Sequence, residues 1–269
     1  MGYPRIIEKV YREPWAIKPS VHQSIQSTLS AALNGERVAM PYDDEDGEEQ
    51  ELYNVEGVSV IPVNGIIGKH LSMIECACGG VDVDSVSLAL DAAVMDERTS
   101  RIILYFDSAG GTVTGIPELA DKIAQAAEVK EVIAYTDSLC ASAAYWLASQ
   151  ASAFYCSTSS EVGSIGVYMA LLDESERLEA EGIKVNAFSA GKYKLSGSSF
   201  KPLTDEERVF FQADVDYWYE LFTAAVLSKR QLAESTMQGQ TYVGPKAVQV
   251  NLVDGLVDSF DELLTMTKG

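Results

Sequence analysis

Histidine is nearly missing from this chain: there are 2 in 269 residues, His22 and His70. Neither stands in a segment that reads as part of a sheet edge where reacting groups gather, so a serine–histidine–aspartate triad is poorly supported. Basic residues are scarce as well, 20 Lys and Arg against 40 Asp and Glu, and a formal charge of −20 repels phosphate-rich partners rather than steering them in. No nucleic-acid partner is expected. Apolar runs stay short of the ~20 residues that cross a bilayer. The opening Met1-Gly2-Tyr3-Pro4-Arg5 leads into an amphipathic stretch without the apolar region of a signal peptide, so the chain reads as soluble and not exported, with no membrane span. Cysteines number 4, and the close pair Cys76 and Cys78 lacks a second pair or nearby histidines to complete a zinc site. Cys140 and Cys156 add nothing to it, so reduced thiols, no metal and no cofactor are expected.

What remains is a chain long enough to bury a substantial core, read as one large α/β domain with extensions. Residues 1–40 form an N-terminal arm, with Ile25, Leu29 and Leu33 spaced for a short helix after Pro14 and Pro19. Residues 41–54 concentrate acidic charge with almost nothing to bury and read as a linker. The main domain spans 55–269. Its apolar strands are expected at Val58 to Val63, Arg101 to Phe106, Glu131 to Tyr135, Ala153 to Cys156, Ile183 to Phe188 and Leu252 to Val257. Helical patterns separate them, which argues for helices packed on a largely parallel sheet. The segment from Ile66 to Gly80 is irregular. Thr204-Asp205-Glu206-Glu207 opens a long helix with a capping box, and Phe211, Val215, Trp218, Phe222 and Val226 give it one apolar face suited to core or to a subunit interface.

Three stretches carry chemistry. Ser142 sits where the strand ending at Tyr135 gives way to a helix of small residues, Ala141, Ala143 and Ala144 among them. A serine there faces the free N–H groups of a helix start and is placed to attack a carbonyl, with the Ala143 N–H donating to the oxyanion; tight helix packing explains the small residues equally well. Asp107-Ser108-Ala109-Gly110-Gly111 reads as a turn whose glycines could aim N–H groups outward, and it lacks the lysine of a phosphate loop. Lys192 and Lys194 stand in a Gly/Ser-rich loop, Ser189 to Phe200, that reads either as an ordinary solvated loop or as the source of a base, because burial can lower a lysine's pKa toward neutrality.

In their order along the chain these stretches resemble the signal peptide peptidase A family of serine peptidases. The resemblance covers residues 57 to 258: the strand Val58 to Val63, the turn Asp107 to Gly111, Ala141-Ser142-Ala143-Ala144-Tyr145, Val162-Gly163-Ser164-Ile165-Gly166-Val167, Gly191-Lys192-Tyr193-Lys194 and Val253-Asp254-Gly255. It implies a ClpP/crotonase-like fold with repeated ββα units, and 55–269 as a peptidase domain. It also implies a serine–lysine dyad: Ser142 as nucleophile, Lys194 as general base, Ser164 helping to hold that lysine, and Gly110, Gly111 and Ala143 forming the oxyanion hole. Three positions depart from the family pattern: Ala109 for proline, Ala144 for glycine, and Asn251 for the glycine before Leu-Val-Asp.

Pro4-Arg5-Ile6-Ile7 through Glu13-Pro14-Trp15-Ala16-Ile17 is similar to the opening of tailed-phage head maturation proteases, a capsid-assembly branch of that family. The implied activity is endopeptidase cleavage of scaffold or capsid polypeptides in the host cytoplasm or an immature phage head. The alternatives are a cellular peptidase that degrades signal-peptide remnants and an inactive assembly protein that keeps the fold. The resemblance further implies a homo-oligomeric ring, with the dyad completed across subunits and the Thr204 helix at contacts.

Overall fold

The structure is a computed structural model that describes residues 10–11, 13–33, 52–71, 75–76 and 79–266. The first nine residues, most of the expected acidic linker and Cys78 lie outside the described residues.

The main sheet grows around β5 (Arg101–Thr112), whose Ile102, Ile103, Leu104 and Phe106 are all fully buried. A strand covered on both faces reads as an unbroken apolar run, which is why this one was legible. β3 (Val58–Gly68) and β6 (Glu131–Thr136) flank it in parallel, and β4 (Gly80–Asp82), β8 (Ala153–Cys156) and β11 (Gly255–Leu256) extend the parallel order outward. β2 (Tyr53–Val55) adds an antiparallel edge on β3. The sequence's α/β reading with a largely parallel sheet is therefore borne out. α1 (Pro19–Leu33) carries the Ile25, Leu29, Leu33 spacing of the arm.

Past Asp107, β5 keeps β3 on one side, with Gly110 and Gly111 opposite Ile66 and Ile67, and changes partners on the other. Ser108 pairs with Cys140 of β7 (Leu139–Ala141), and a smaller sheet continues through β9 (Glu161–Gly163) to antiparallel β10 (Thr241–Val243). Beyond that point β5 also takes β1 (Trp15–Ile17), antiparallel, with Ile17 opposite Gly110 and Ala16 opposite Gly111. The residues Ser108 to Gly111 read as a turn in the sequence and are strand in the structure. Their glycines serve close packing: a Cβ on Gly111 would stand 1.8 Å from the Ile67 carbonyl oxygen, a clash with backbone that cannot move aside.

Helices α2 (Val83–Met95), α3 (Ile116–Val129) and α4 (Ala143–Ala148) pack over the sheet, and every residue of α4 is buried, whereas α5 (Ser175–Ala180) buries none of its own. Trp146 of α4 stacks on Phe222 of α6 (Asp205–Lys229), with ring centroids 4.7 Å apart and planes 6° from parallel. The capping box expected at Thr204 is present, the threonine accepting from the Glu207 N–H at 3.2 Å. The apolar face of α6 is buried only toward its C-terminal half, at Phe222 and Val226. One expected strand is absent: Ile183 to Phe188 finds no sheet edge to pair with, and Phe188 is 95% exposed. Toward the end of the described residues come α7 (Gly244–Gln249) and α8 (Phe260–Met266).

Because Phe222 fills the space against Trp146, Phe222→Ala is expected to lower unfolding free energy by about 3–5 kcal/mol in urea titration. Val209→Ala on the same helix, at a position 70% exposed, is expected to change it by less than about 0.5 kcal/mol.

Candidate active site

The backbone at Ser142 is held in a conformation that side chains rarely adopt. Its φ is 57° and its ψ −119°, between β7 and α4. Such a position costs about 1–3 kcal/mol and persists only where the surroundings over-determine it. They do so from both sides: the Ser142 N–H donates to the Gly163 carbonyl at 2.8 Å, and the Ser142 carbonyl accepts from the Trp146 N–H at 2.9 Å. Tyr145 locks the helix further by donating its hydroxyl to the Leu252 carbonyl at 2.9 Å. The result is a sharp strand-to-helix turn that thrusts one hydroxyl out of the chain's path.

Ser164, also at positive φ (54°), is fixed on the facing loop by donation of its N–H to the Gln240 carbonyl at 2.8 Å. The Ser142 hydroxyl points to the same loop, 3.4 Å from the Gly166 carbonyl oxygen. Gly110, at φ 98°, completes the frame: a Cβ there would lie 2.9 Å from the Ala143 nitrogen. Ala143 is the first residue of α4, so its N–H has no acceptor within the helix. Of the six site residues expected from the sequence, Ser142, Ala143 and Gly110 with its neighbour Gly111 thus come together, and Ser164 stands on the loop that the Ser142 hydroxyl faces.

Lys194, the sixth, is not among them. It stands exposed on the 190–200 segment, and among the described residues no hydrogen bond or ion pair joins its ammonium to Ser142. The neighbouring Lys192 is committed to an ion pair with Glu206.

Sequence reasoning missed two supporting groups. Ser108 donates its hydroxyl to the Gly65 carbonyl at 2.5 Å and accepts from the Gly110 N–H at 3.1 Å, which sets the Gly110 peptide plane. Its place beside the two glycines was the available signal. The other is His22, set aside as part of a remote arm. It is buried, stacks on Trp15 at 4.8 Å, and bonds through Nδ1 to the Tyr168 hydroxyl at 2.6 Å and through Nε2 to the Val10 carbonyl at 2.9 Å. A carbonyl can only accept, so Nε2 carries the proton and Tyr168 donates to Nδ1. Both ring nitrogens are used, and neither serves Ser142. His70 is exposed and pairs with Asp84 at 2.9 Å. Cys140 is buried and its thiol is pushed well up by burial, and burial raises Cys156 to about 11, so neither offers a thiolate to rival the serine. Asn251 does adopt the left-handed backbone expected of it, at φ 62°.

Among the described residues no group of three or more His, Cys, Asp or Glu side chains is placed to hold a metal ion, and no helix is long and apolar enough to cross a membrane.

Comparison with known proteins adds a family. The sequence profile described as Peptidase family S49 matches residues 124–269, a span that includes Ser142, Ser164 and Lys194 and excludes the glycine segment. A capsid assembly protease, protein C of Escherichia phage lambda, is 27% identical over 98% of this chain and 65% of its own length. Protease 4 of Haemophilus influenzae is 27% identical over 79% of this chain and 34% of its own. The chain therefore spans less than two thirds of the length of either relative. Among solved structures, the ClpP protease catalytic domain of Plasmodium falciparum superposes with a TM-score of 0.41 at 12% identity, over 75% of this chain and 85% of that one.

The arm's histidine carries a pH dependence. Burial lowers the His22 pKa from its ordinary 6.5 against the opposing pull of the Val10 carbonyl. A depressed histidine contributes fully above the ordinary value and loses its contribution as the pH falls through the lower folded value. Exchange protection of the Trp15 and Lys18 amides, corrected for intrinsic rates, is expected to drop between about pH 7 and pH 5. His22→Phe should abolish that step; constant protection in the wild type would contradict the assignment.

Proposed function

The chain belongs to peptidase family S49, and from that premise we propose that it is a serine endopeptidase in which Ser142 is the nucleophile and Lys194 the general base. The observation that carries the reading is the strained Ser142 turn, with the Ala143 N–H and the Gly110 backbone converging beside it. The Lys194 amine takes the Ser142 proton as Oγ attacks a peptide carbonyl carbon, and the oxyanion is met by the Ala143 N–H and the glycine segment. Collapse expels the amine, which leaves with the proton from Lys194, and water then attacks the acyl-enzyme in the same way.

Lysine serves as a base only where its charged form is disfavoured by burial. The exposed Lys194 of a single chain therefore calls for cover, and a second copy supplies it in this proposal: the dyad is completed between subunits of a homo-oligomeric ring. The exposed apolar side chains Ile183, Val185 and Phe188 on the segment leading to Lys194, with Tyr217 on α6, support such contacts. Ser164 faces Ser142 and is assigned to hold the incoming amine. The substrates proposed are scaffold and capsid polypeptides during phage head maturation, in line with the lambda relative, which is a capsid assembly protease. One observation favours the alternative of an inactive assembly protein, namely that Ser142 and Lys194 are apart in one chain.

Ser142→Ala and Lys194→Ala are each expected to reduce cleavage of an unfolded protein by at least about a thousandfold, and Lys192→Ala by no more than about threefold. Mixing the two inactive variants should restore part of the activity if the dyad spans subunits, because some interfaces then carry both intact residues. Undiminished cleavage by either single variant would end the dyad assignment.

A further inference from the structure

Ser142 has no exposed surface, and Ser164 is 3% exposed. A nucleophile that water cannot reach is closed to a polypeptide as well. The chain's own arm runs beside that site, its Ala16 carbonyl and the Ala143 nitrogen both lying against Gly110. β1 lies between the far end of β5 and the segment Gly166–Tyr168 and is hydrogen-bonded on both sides. Toward β5, Val113 N–H donates to the Pro14 carbonyl at 3.3 Å and Lys18 N–H to the Ala109 carbonyl at 2.9 Å. Toward the other wall, Trp15 and Tyr168 exchange both of their backbone bonds, at 2.9 and 3.0 Å.

Antiparallel ladders alternate between bonded and non-bonded pairs. Since the residue pairs two positions to either side are bonded, Ala16 and Gly111 form the bonded pair between them. The Ala16 carbonyl then takes the Gly111 N–H, one of the groups assigned to the oxyanion hole. It also crowds the other glycine: a Cβ on Gly110 would lie 2.2 Å from the Ala16 oxygen and 2.9 Å from the Ala143 nitrogen. The carbonyl of the arm and the first N–H of α4 flank the same glycine.

We infer that Pro14–Lys18 is a built-in occupant of the substrate groove: an extended polypeptide binds as a strand in the place now held by β1, and hydrolysis requires the arm to leave. This rests on the peptidase reading for the hydrolytic step and on the strand geometry alone for the occupancy. Its stays are separable. Lys18 pairs with Glu161 at 2.5 Å, which Thr241 also contacts at 3.1 Å, and both charged side chains are about a third exposed; such pairs contribute roughly 0–1 kcal/mol. The larger anchors are the Trp15 side chain, 4% exposed, and the Tyr168–His22 bond. The arm also walls the neighbouring cleft, where Ile17 and Pro19 face Ser164, Gly166, Tyr168 and Gln238. Its departure joins groove and cleft into one channel, in which Ala16 marks a position suited to a small side chain.

A competitor that occupies the groove for 90–99% of the time weakens the apparent affinity for polypeptide by about 10- to 100-fold. The test uses the Ser142→Ala chain, so that binding is read without turnover, with fluorescein-labelled unfolded casein as the probe in fluorescence anisotropy. Lys18→Glu, which sets like charges against Glu161, and Trp15→Ala are each expected to tighten casein binding by roughly tenfold. A synthetic peptide of residues 11–21 should reverse the gain by competition. In the otherwise unaltered Ser142→Ala chain, saturating casein should speed hydrogen exchange at the Trp15 and Lys18 amides. Folded variants that bind casein no tighter, together with exchange that casein leaves unchanged, would overturn the inference. Tighter binding in the variants, joined to failure of their Ser142-intact counterparts to cleave casein or react with a fluorophosphonate, would uphold the occupancy and sink the peptidase reading instead.

Discussion

Three strands of backbone meet at Gly110 and Gly111 with no room for a β-carbon. Ile67 of β3 presses on Gly111 from one side, and Ala16 of β1 and Ala143 of α4 crowd Gly110 from the other. That approach is what lets β5 stay paired with β3 and β1 while also joining the smaller sheet at Ser108 and touching the helix that begins after Ser142. Any side chain at either position would push the segments apart by more than packing can absorb, since the atoms met are backbone. The glycines therefore do their work as absence of bulk, and Ser108 fixes the plane they lie in through its bonds to Gly65 and Gly110.

The strain at Ser142 is intelligible only against that frame. A residue at φ 57° relaxes unless its neighbours refuse to move. Here they are a buried helix stacked on Phe222 through Trp146, a strand paired with β5, and a loop held by Gln240. The core thus stores in one turn the energy that orients one hydroxyl, so the packing of α6 at Phe222 is connected to the chemistry at Ser142 through rigid contacts rather than through any direct touch.

Elements buried on both faces were legible in the sequence because burial writes a continuous apolar run: β5 and β6 fell where expected, as did the helices packed on them. The Thr204 capping box was legible because its signal is local. The strand expected at Ile183 to Phe188 failed because strand propensity needs an edge to pair with, and none is available to that segment. The glycine turn was misread for a related reason. Adjacent glycines signal either a bend or a close approach, and which of the two applies depends on a partner, β1, that lies about ninety residues upstream. His22 was discounted because its segment does not read as part of a sheet edge, although the fold returns its helix to the wall of the site.

The proposed lysine base and serine nucleophile impose opposite demands on the solvent. A hydroxyl nucleophile tolerates a water-filled site before reaction, whereas an amine must be kept from water to stay uncharged at neutral pH. A single chain meets the first demand and over-meets it, since Ser142 has no exposed surface at all. It leaves the second unmet, since the segment carrying Lys194 extends from the body with its apolar side chains uncovered. Under the proposed dyad and groove occupancy, turnover needs two separate events: a partner surface has to cover the lysine, and the arm has to yield the groove. A chain that requires both is inert while it is alone and while no extended polypeptide competes for the strand position. In that proposal the property comes from ordinary burial and strand pairing.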